Sequence, residues 1–168
     1  MDILISSNLE RLLFHLYDEN EQKVAELMSS LNKDGVYKID DAVKEKLSAE
    51  FFGGFCDDEG TKKTIKKMFD ECNYLCDTHT AVAINVYDQY VEKTGDTTPT
   101  VIASTASPYK FAASVLPAVY EGEMPTDEFS MVEKLSSVTN TKIPTPLAGL
   151  RDKQVLHKTC VDKSEMSD

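Results

Sequence analysis

The 168-residue chain carries 18 Lys and Arg against 29 Asp and Glu, a formal net charge of −11, which disfavours nucleic acid or an anionic membrane as partner. An anionic small molecule stays open, because the free amides of a helix N-terminus attract one locally. No apolar run approaches the ~20 residues that cross a bilayer, and the opening MDILISSNLER lacks the apolar stretch of a secretory signal, so Cys56, Cys72, Cys76 and Cys160 are expected to be free thiols of a cytoplasmic protein.

In chain order, a short apolar strand is expected at residues 3–6, handing over to a helix. Ser7-Asn8-Leu9-Glu10 has the form of a capping box, the serine bonding the amide three residues on while Glu10 reaches back. Leu9, Leu12, Leu13 and Leu16 then fall at i, i+3, i+4 and i+7, as do Val24, Leu27, Met28 and Leu31, and later Ile65, Met68, Phe69 and Cys72. Each set reads as one apolar stripe facing the core. A shorter helix is expected at 41–49 and a strand at 51–55. Further helices are expected at 78–90, 108–120 and 126–137, the last capped by Thr126 with Asp127 and Glu128 in its first turn. Strands are expected at 100–104 and 154–158, and residues 162–168 form a polar tail to a single domain spanning 1–161. The alternation of strands with long helices predicts an α/β class, a helix-rich three-layer arrangement with a small, mainly parallel sheet. Three or four strands cannot readily cover so many amphipathic helices, so the chain is expected to be part of something larger.

Three junctions carry polar groups. The run VIASTASPYKF (101–111) passes from β-branched residues through Ser104-Thr105-Ala106-Ser107 to Pro108, with Ser107 placed to cap and Pro108 to occupy the first helical position. Capping needs one hydroxyl, and this turn has three. The Ser7 junction would lie at the same carboxyl edge of the sheet, where ligands of open α/β sheets bind. In CDTHTAVAINVYDQY (76–90) Asp77 can cap a deeply buried helix, leaving His79 in the first turn, where the dipole disfavours its protonated form. The plain alternatives are ordinary caps and a histidine that bonds within its own helix end. Cys72, Cys76 and His79 lie close in sequence, but without a CxxC pair, and Cys72 already belongs to a stripe, so no metal site is expected.

SSNLERLLF (6–14), CDTHTAVA (76–83), STASPYKF (104–111) and IPTPLAGL (143–150) together resemble, in order and spacing, the carboxy-terminal part of threonine synthase. The chain departs from the family pattern at Thr78, where the family has Pro, and at Ser107, where it has His. The resemblance implies a pyridoxal-phosphate enzyme of the tryptophan-synthase β-subunit type of fold, converting O-phospho-L-homoserine and water to L-threonine and phosphate. In that family a lysine Schiff base holds the cofactor, a glycine-rich loop cradles its phosphate, and a hydroxyl bonds the pyridine nitrogen, moderating the ring as an electron sink. The resemblance assigns the ring contact to Thr105, with Ser104 second. It assigns the substrate phosphate to Ser7, Asn8 and Arg11, with His79 lining the same cleft. A dianionic phosphate suits helix amides plus a guanidinium, although Arg11 is equally placed for an i, i+4 ion pair on its own helix.

No segment resembles the lysine-bearing motif or the glycine-rich loop. Lys110 sits a turn inside a helix with nothing nearby to lower its pKa and is expected to be solvated. The chain is therefore expected to be a carboxy-terminal fragment, inactive alone, whose partners are the missing amino-terminal part of the enzyme and the phosphorylated substrate. The competing expectation is a noncatalytic module that binds an anionic metabolite or a protein, with self-association through an exposed face.

Overall fold

The computed structural model describes residues 5–166, and over them the chain is helical. The helices are α1 (Ser7–Leu16), α2 (Glu21–Asp34), α3 (Asp41–Glu50), α4 (Asp58–Cys72), α5 (Thr78–Thr94), α6 (Ala112–Val119), α7 (Glu128–Thr139) and the single turn α8 (Thr145–Ala148), with 3-10 turns at Pro108–Phe111 and Lys163–Glu165. The chain divides into two compact units. The first takes residues up to Cys56 together with Val86–Thr100, and the second takes Asp57–Asn85 and the residues from Val101 onward.

In the first unit α1 packs on α2 and α3. Leu13, Leu27 and Val43 form its small buried core, with Leu16, Tyr17, Met28, Tyr37 and Ile39 around them. One leucine stripe on α1 thus supplies a buried residue and its flank, while Leu9, at the start of the same stripe, stays 40% exposed. Gly35, in the left-handed region at φ 71°, ends α2 where a side chain would be strained.

The second unit holds the larger core. α6 packs on α4 and α7, and Ile65, Ala81, Val115, Leu116 and Leu135 are sealed from solvent. Asn73 and Asn140, both at φ 51°, terminate α4 and α7. Asparagine tolerates that conformation better than other non-glycine residues. α5 is buried on one face through Thr80, Ala81 and Ile84, while Ala83 is exposed, so it is half-sunk rather than deeply buried. Cys72 is exposed and Cys76 buried, which corrects the placement of Cys72 in a core stripe: α4 ends at Cys72, and its apolar face is complete one turn earlier at Met68 and Phe69.

The expected small parallel sheet is not seen: among the described residues there is no strand. A strand persists only where neighbours satisfy its amides and carbonyls, and the runs at 51–55, 100–104 and 154–158 each lie without a ladder. Their apolar side chains face outward accordingly, with Phe55, Val101 and Leu156 at 84%, 95% and 74% exposure. Only Ile102 of the second run packs on the core. Of the expected strand at 3–6, residues 3 and 4 lie outside the described residues, and Ile5 and Ser6 carry no strand. Two cap assignments shift by one residue. Ser6, not Ser7, accepts from the Leu9 amide at 3.3 Å, and Asp127, not Thr126, accepts from the Ser130 amide at 3.0 Å. The helix expected from Pro108 opens as a 3-10 turn before α6. No helix of the described residues is long and apolar enough to cross a membrane.

Candidate functional site

The polar centre of the second unit is built on Asp77, which precedes α5 and has no solvent exposure. Its Oδ2 accepts from the His79 amide and from His79 Nδ1, both at 2.9 Å. Its Oδ1 accepts from the Thr80 hydroxyl and, at 3.4 Å, from the Thr80 amide. Burial pushes the carboxyl up, but the bonds from Thr80 and His79 outweigh it, and Asp77 is held below the ordinary carboxylate value. It is therefore an ionised, fully buried helix cap. The neighbouring Cys76 thiol is pushed up to about 11, chiefly by burial and further by the Asp77 charge, against a backbone hydrogen bond that lowers it. Such a thiol is protonated at neutral pH and is a poor nucleophile or metal ligand.

From this centre the network runs to the hydroxyl turn. Thr80 Oγ1 lies 3.0 Å from Ser104 Oγ, and the Tyr74 hydroxyl donates to Ser104 Oγ at 3.0 Å. The one Thr80 hydroxyl hydrogen goes to Asp77, so Ser104 accepts from Tyr74 and gives its own hydrogen to Thr80 Oγ1, completing a donor chain that ends on the carboxylate. Thr105 is exposed and makes no side-chain hydrogen bond among the described residues. Ser107 accepts from the Tyr109 amide at 3.3 Å, as expected of the cap, with Pro108 first in the 3-10 turn. The His79 ring packs against Phe111 with centroids 4.9 Å apart and is one-third exposed. Lys110 is exposed on the 3-10 turn.

Ser7, Asn8 and Arg11 belong to the first unit. Ser7 and Arg11 line an open concavity of about 460 Å³, together with Glu10, Phe14, Glu21, Val24, Ala25 and Met28. Asn8 Oδ1 accepts from the Arg11 guanidinium, and Arg11 makes no ion pair among the described residues. The i, i+4 pair that would have occupied it is thus not formed. Glu10 and Glu21 share the wall, so the pull on an anion comes from Arg11 and the amide end of α1.

The sequence shows Asp77 only in part and Tyr74 not at all as members of this polar centre. Asp77 was legible only as a cap, although the spacing Asp77-His79-Thr80 is that of a carboxylate collecting donors two and three residues on. Nothing in the local pattern pointed to Tyr74, whose contact spans 30 residues. Among the described residues no group of three or more His, Cys, Asp or Glu side chains is placed to hold a metal ion.

The residues present fit one end of a pyridoxal phosphate. A pyridine nitrogen needs a neutral donor, and Thr105 offers an uncommitted hydroxyl hydrogen on an exposed turn, while the neighbouring Ser104 would have to turn its hydrogen away from Thr80 to serve.

Residues 80–163 match the family model for the C-terminal part of threonine synthase. Threonine synthase-like 1 from Homo sapiens is 34% identical over 137 residues, 82% of this chain and 18% of its own length. Threonine synthase from Saccharomyces cerevisiae is 35% identical over 129 residues, 68% of this chain and 25% of its own. Among solved structures, threonine synthase from yeast superposes with a TM-score of 0.69 at 28% identity, covering 92% of this chain and 31% of that one. PLP-bound threonine synthase from Brucella melitensis gives 0.62 at 32% identity, covering 84% and 29%. The chain thus spans between 18% and 25% of the length of these curated relatives.

Proposed function

The chain belongs to the threonine synthase C-terminal family, and from that premise we propose that it forms the carboxy-terminal part of a cytoplasmic, pyridoxal-phosphate-dependent lyase that converts O-phospho-L-homoserine and water to L-threonine and phosphate. The observation that carries the reading is the hydroxyl turn, which lies within the family match and presents the free Thr105 donor, beside an anchored Ser104, at the head of a capped 3-10 turn. Thr105 is the proposed partner of the cofactor's ring nitrogen, with Ser104 second. Ser104 is anchored by Tyr74 and Thr80, whereas the Thr105 hydroxyl is entirely free to follow the ring. The cofactor, when bound, supplies an electron sink, and a neutral hydroxyl at the ring nitrogen leaves that sink moderate. Ser7, Asn8 and Arg11 are proposed to receive the substrate phosphate, Asn8 aiming the guanidinium by its hydrogen bond. His79 is proposed as a substrate-lining residue.

The covalent anchor of the cofactor is proposed to come from outside this chain, since Lys110 is exposed on its turn. Treated with pyridoxal phosphate and borohydride, the isolated chain is expected to gain no stoichiometric adduct and to release no phosphate from O-phospho-L-homoserine. The complete protein should do both. A one-to-one adduct on a single lysine of the isolated chain would overturn the fragment reading, and a complete, cofactor-loaded protein that leaves the ester intact would overturn the synthase reading. A second reading, a noncatalytic interaction module, draws on the exposed apolar side chains of Phe51, Phe55, Val155 and Leu156. Stable self-association of the isolated chain without any effect on the complete enzyme would favour it.

A further inference from the structure

Asp77 reaches the exposed groups of the second unit only through its neighbours. Its buried carboxylate accepts Nδ1–H of His79 at 2.9 Å, so Nδ1 carries a hydrogen whether the ring is neutral or protonated. The proton that comes and goes is therefore the one on Nε2. Nε2 has no hydrogen-bond partner among the described residues, and since no buried side-chain nitrogen or oxygen there lacks one, Nε2 reaches solvent. Phe111, 4.9 Å away between centroids, limits how the ring can turn. The amides at the head of α5 that could have cradled an anion, those of His79 and Thr80, are already committed to Asp77. A buried carboxylate beside them repels a second negative charge.

We propose that Asp77 is a positioning residue that makes Nε2 of His79 the proton-accepting atom of this unit, turned toward the O–H of a bound water or hydroxyl rather than toward a phosphate. In that step the donor O–H bond breaks, an Nε2–H bond forms, Nδ1 keeps its hydrogen, and the new imidazolium faces the Asp77 carboxylate. The same carboxylate holds Thr80 beside Ser104, so one buried charge orients both the ring and the hydroxyl turn. The place of this proton in a reaction rests on the synthase reading, while the geometry does not.

The test is nitrogen NMR of the full chain labelled at histidine, recorded in alkaline buffer with the ring neutral, the His79 signals being assigned by their loss in His79→Gln. The expected result is a protonated Nδ1 and a bare Nε2. A dominant Nε2–H ring would overturn the proposal. Asp77→Asn is expected to lose that preference, and a folded variant with the wild-type tautomer would also overturn it. If Asp77→Asn does not fold, the wild-type tautomer decides alone. Inorganic phosphate added at constant pH should leave the His79 signals in place, and a saturable shift would refute the preference for an O–H donor. None of these measurements uses cofactor or turnover, so failure of the tautomer leaves the synthase reading standing, and an inactive complete enzyme leaves the tautomer standing.

Discussion

Asp77→Ala is expected to destabilise the protein by roughly 3 kcal/mol, about 1 from the lost helix cap and the rest from hydrogen bonds to a buried charge. For a chain of this length that is a fall in Tm of about 6–12 °C. Four donors face this one carboxylate: two amides, the His79 ring and the Thr80 hydroxyl. Alanine leaves them all without their acceptor in a place water reaches poorly, since Asp77 has no exposure. Thr80→Val removes only one of the four and should cost about 1 kcal/mol. A thermal melt of Asp77→Ala within about 2 °C of the wild type would show that the carboxylate is not the centre of this network.

The same residue sets a sign for the pH dependence. The Asp77 carboxyl lies below its ordinary value of 3.8 because the bonds from Thr80 and His79 outweigh the upward push of burial. The folded state therefore binds its proton less readily than the unfolded chain does. The stability it contributes is fully present above 3.8 and is lost as the pH falls through the lower folded value. Asp96 and Asp127 act in the same direction. Both are lowered to about 2, Asp96 by hydrogen bonds from Thr98 and Tyr90, and Asp127 chiefly by those from Ser130. Asp77→Ala should thus flatten the acid limb of the stability curve as well as lower its plateau.

What was legible in the sequence was local. The stripes that place Leu13, Leu27 and Ile65 inside follow from a spacing of three and four residues, which the backbone of a helix imposes by itself. Ser107 and Pro108 announce their turn for the same reason. The caps slipped by one position because Ser6 and Ser7, like Thr126 and Asp127, are adjacent and similarly suited, and only the exit angle of the chain chooses between them. The strands failed because a β-branched run has no structure until another strand supplies its hydrogen bonds, and composition cannot say whether one does. The contacts that gather the candidate site, Tyr74 and Thr80 to Ser104, bridge 30 and 24 residues. No periodicity encodes such a meeting. It appears once α4 and α6 have packed and carried the hydroxyl turn back against the head of α5.

Thr105→Val in the complete synthase is expected to lower turnover on the order of 10–100-fold while leaving the fold almost unchanged. Valine keeps the shape of threonine and removes the hydroxyl, so on the proposed assignment the cofactor's ring nitrogen is left as a buried acceptor without a donor, at about 1–3 kcal/mol. The folded chain itself should not notice, because Thr105 is exposed and its side chain makes no hydrogen bond among the described residues. Ser104→Ala should behave in the opposite way. It removes the acceptor of the Tyr74 hydroxyl and the neighbour of Thr80, so stability falls together with activity. Arg11→Ala should leave turnover near the wild-type value and raise the Michaelis constant for the phosphorylated substrate, because the proposed guanidinium contact with phosphate would be made already in the ground state. Three variants thus separate ring contact, scaffold and substrate grip by which quantity moves. If Thr105→Val kept full turnover and cofactor affinity while Ser104→Ala lost both beyond its loss of stability, the ring contact belongs to Ser104, which then turns its hydrogen from Thr80 to the ring. If neither variant altered turnover, the hydroxyls between Val101 and Pro108 serve only as the cap and anchor of a turn.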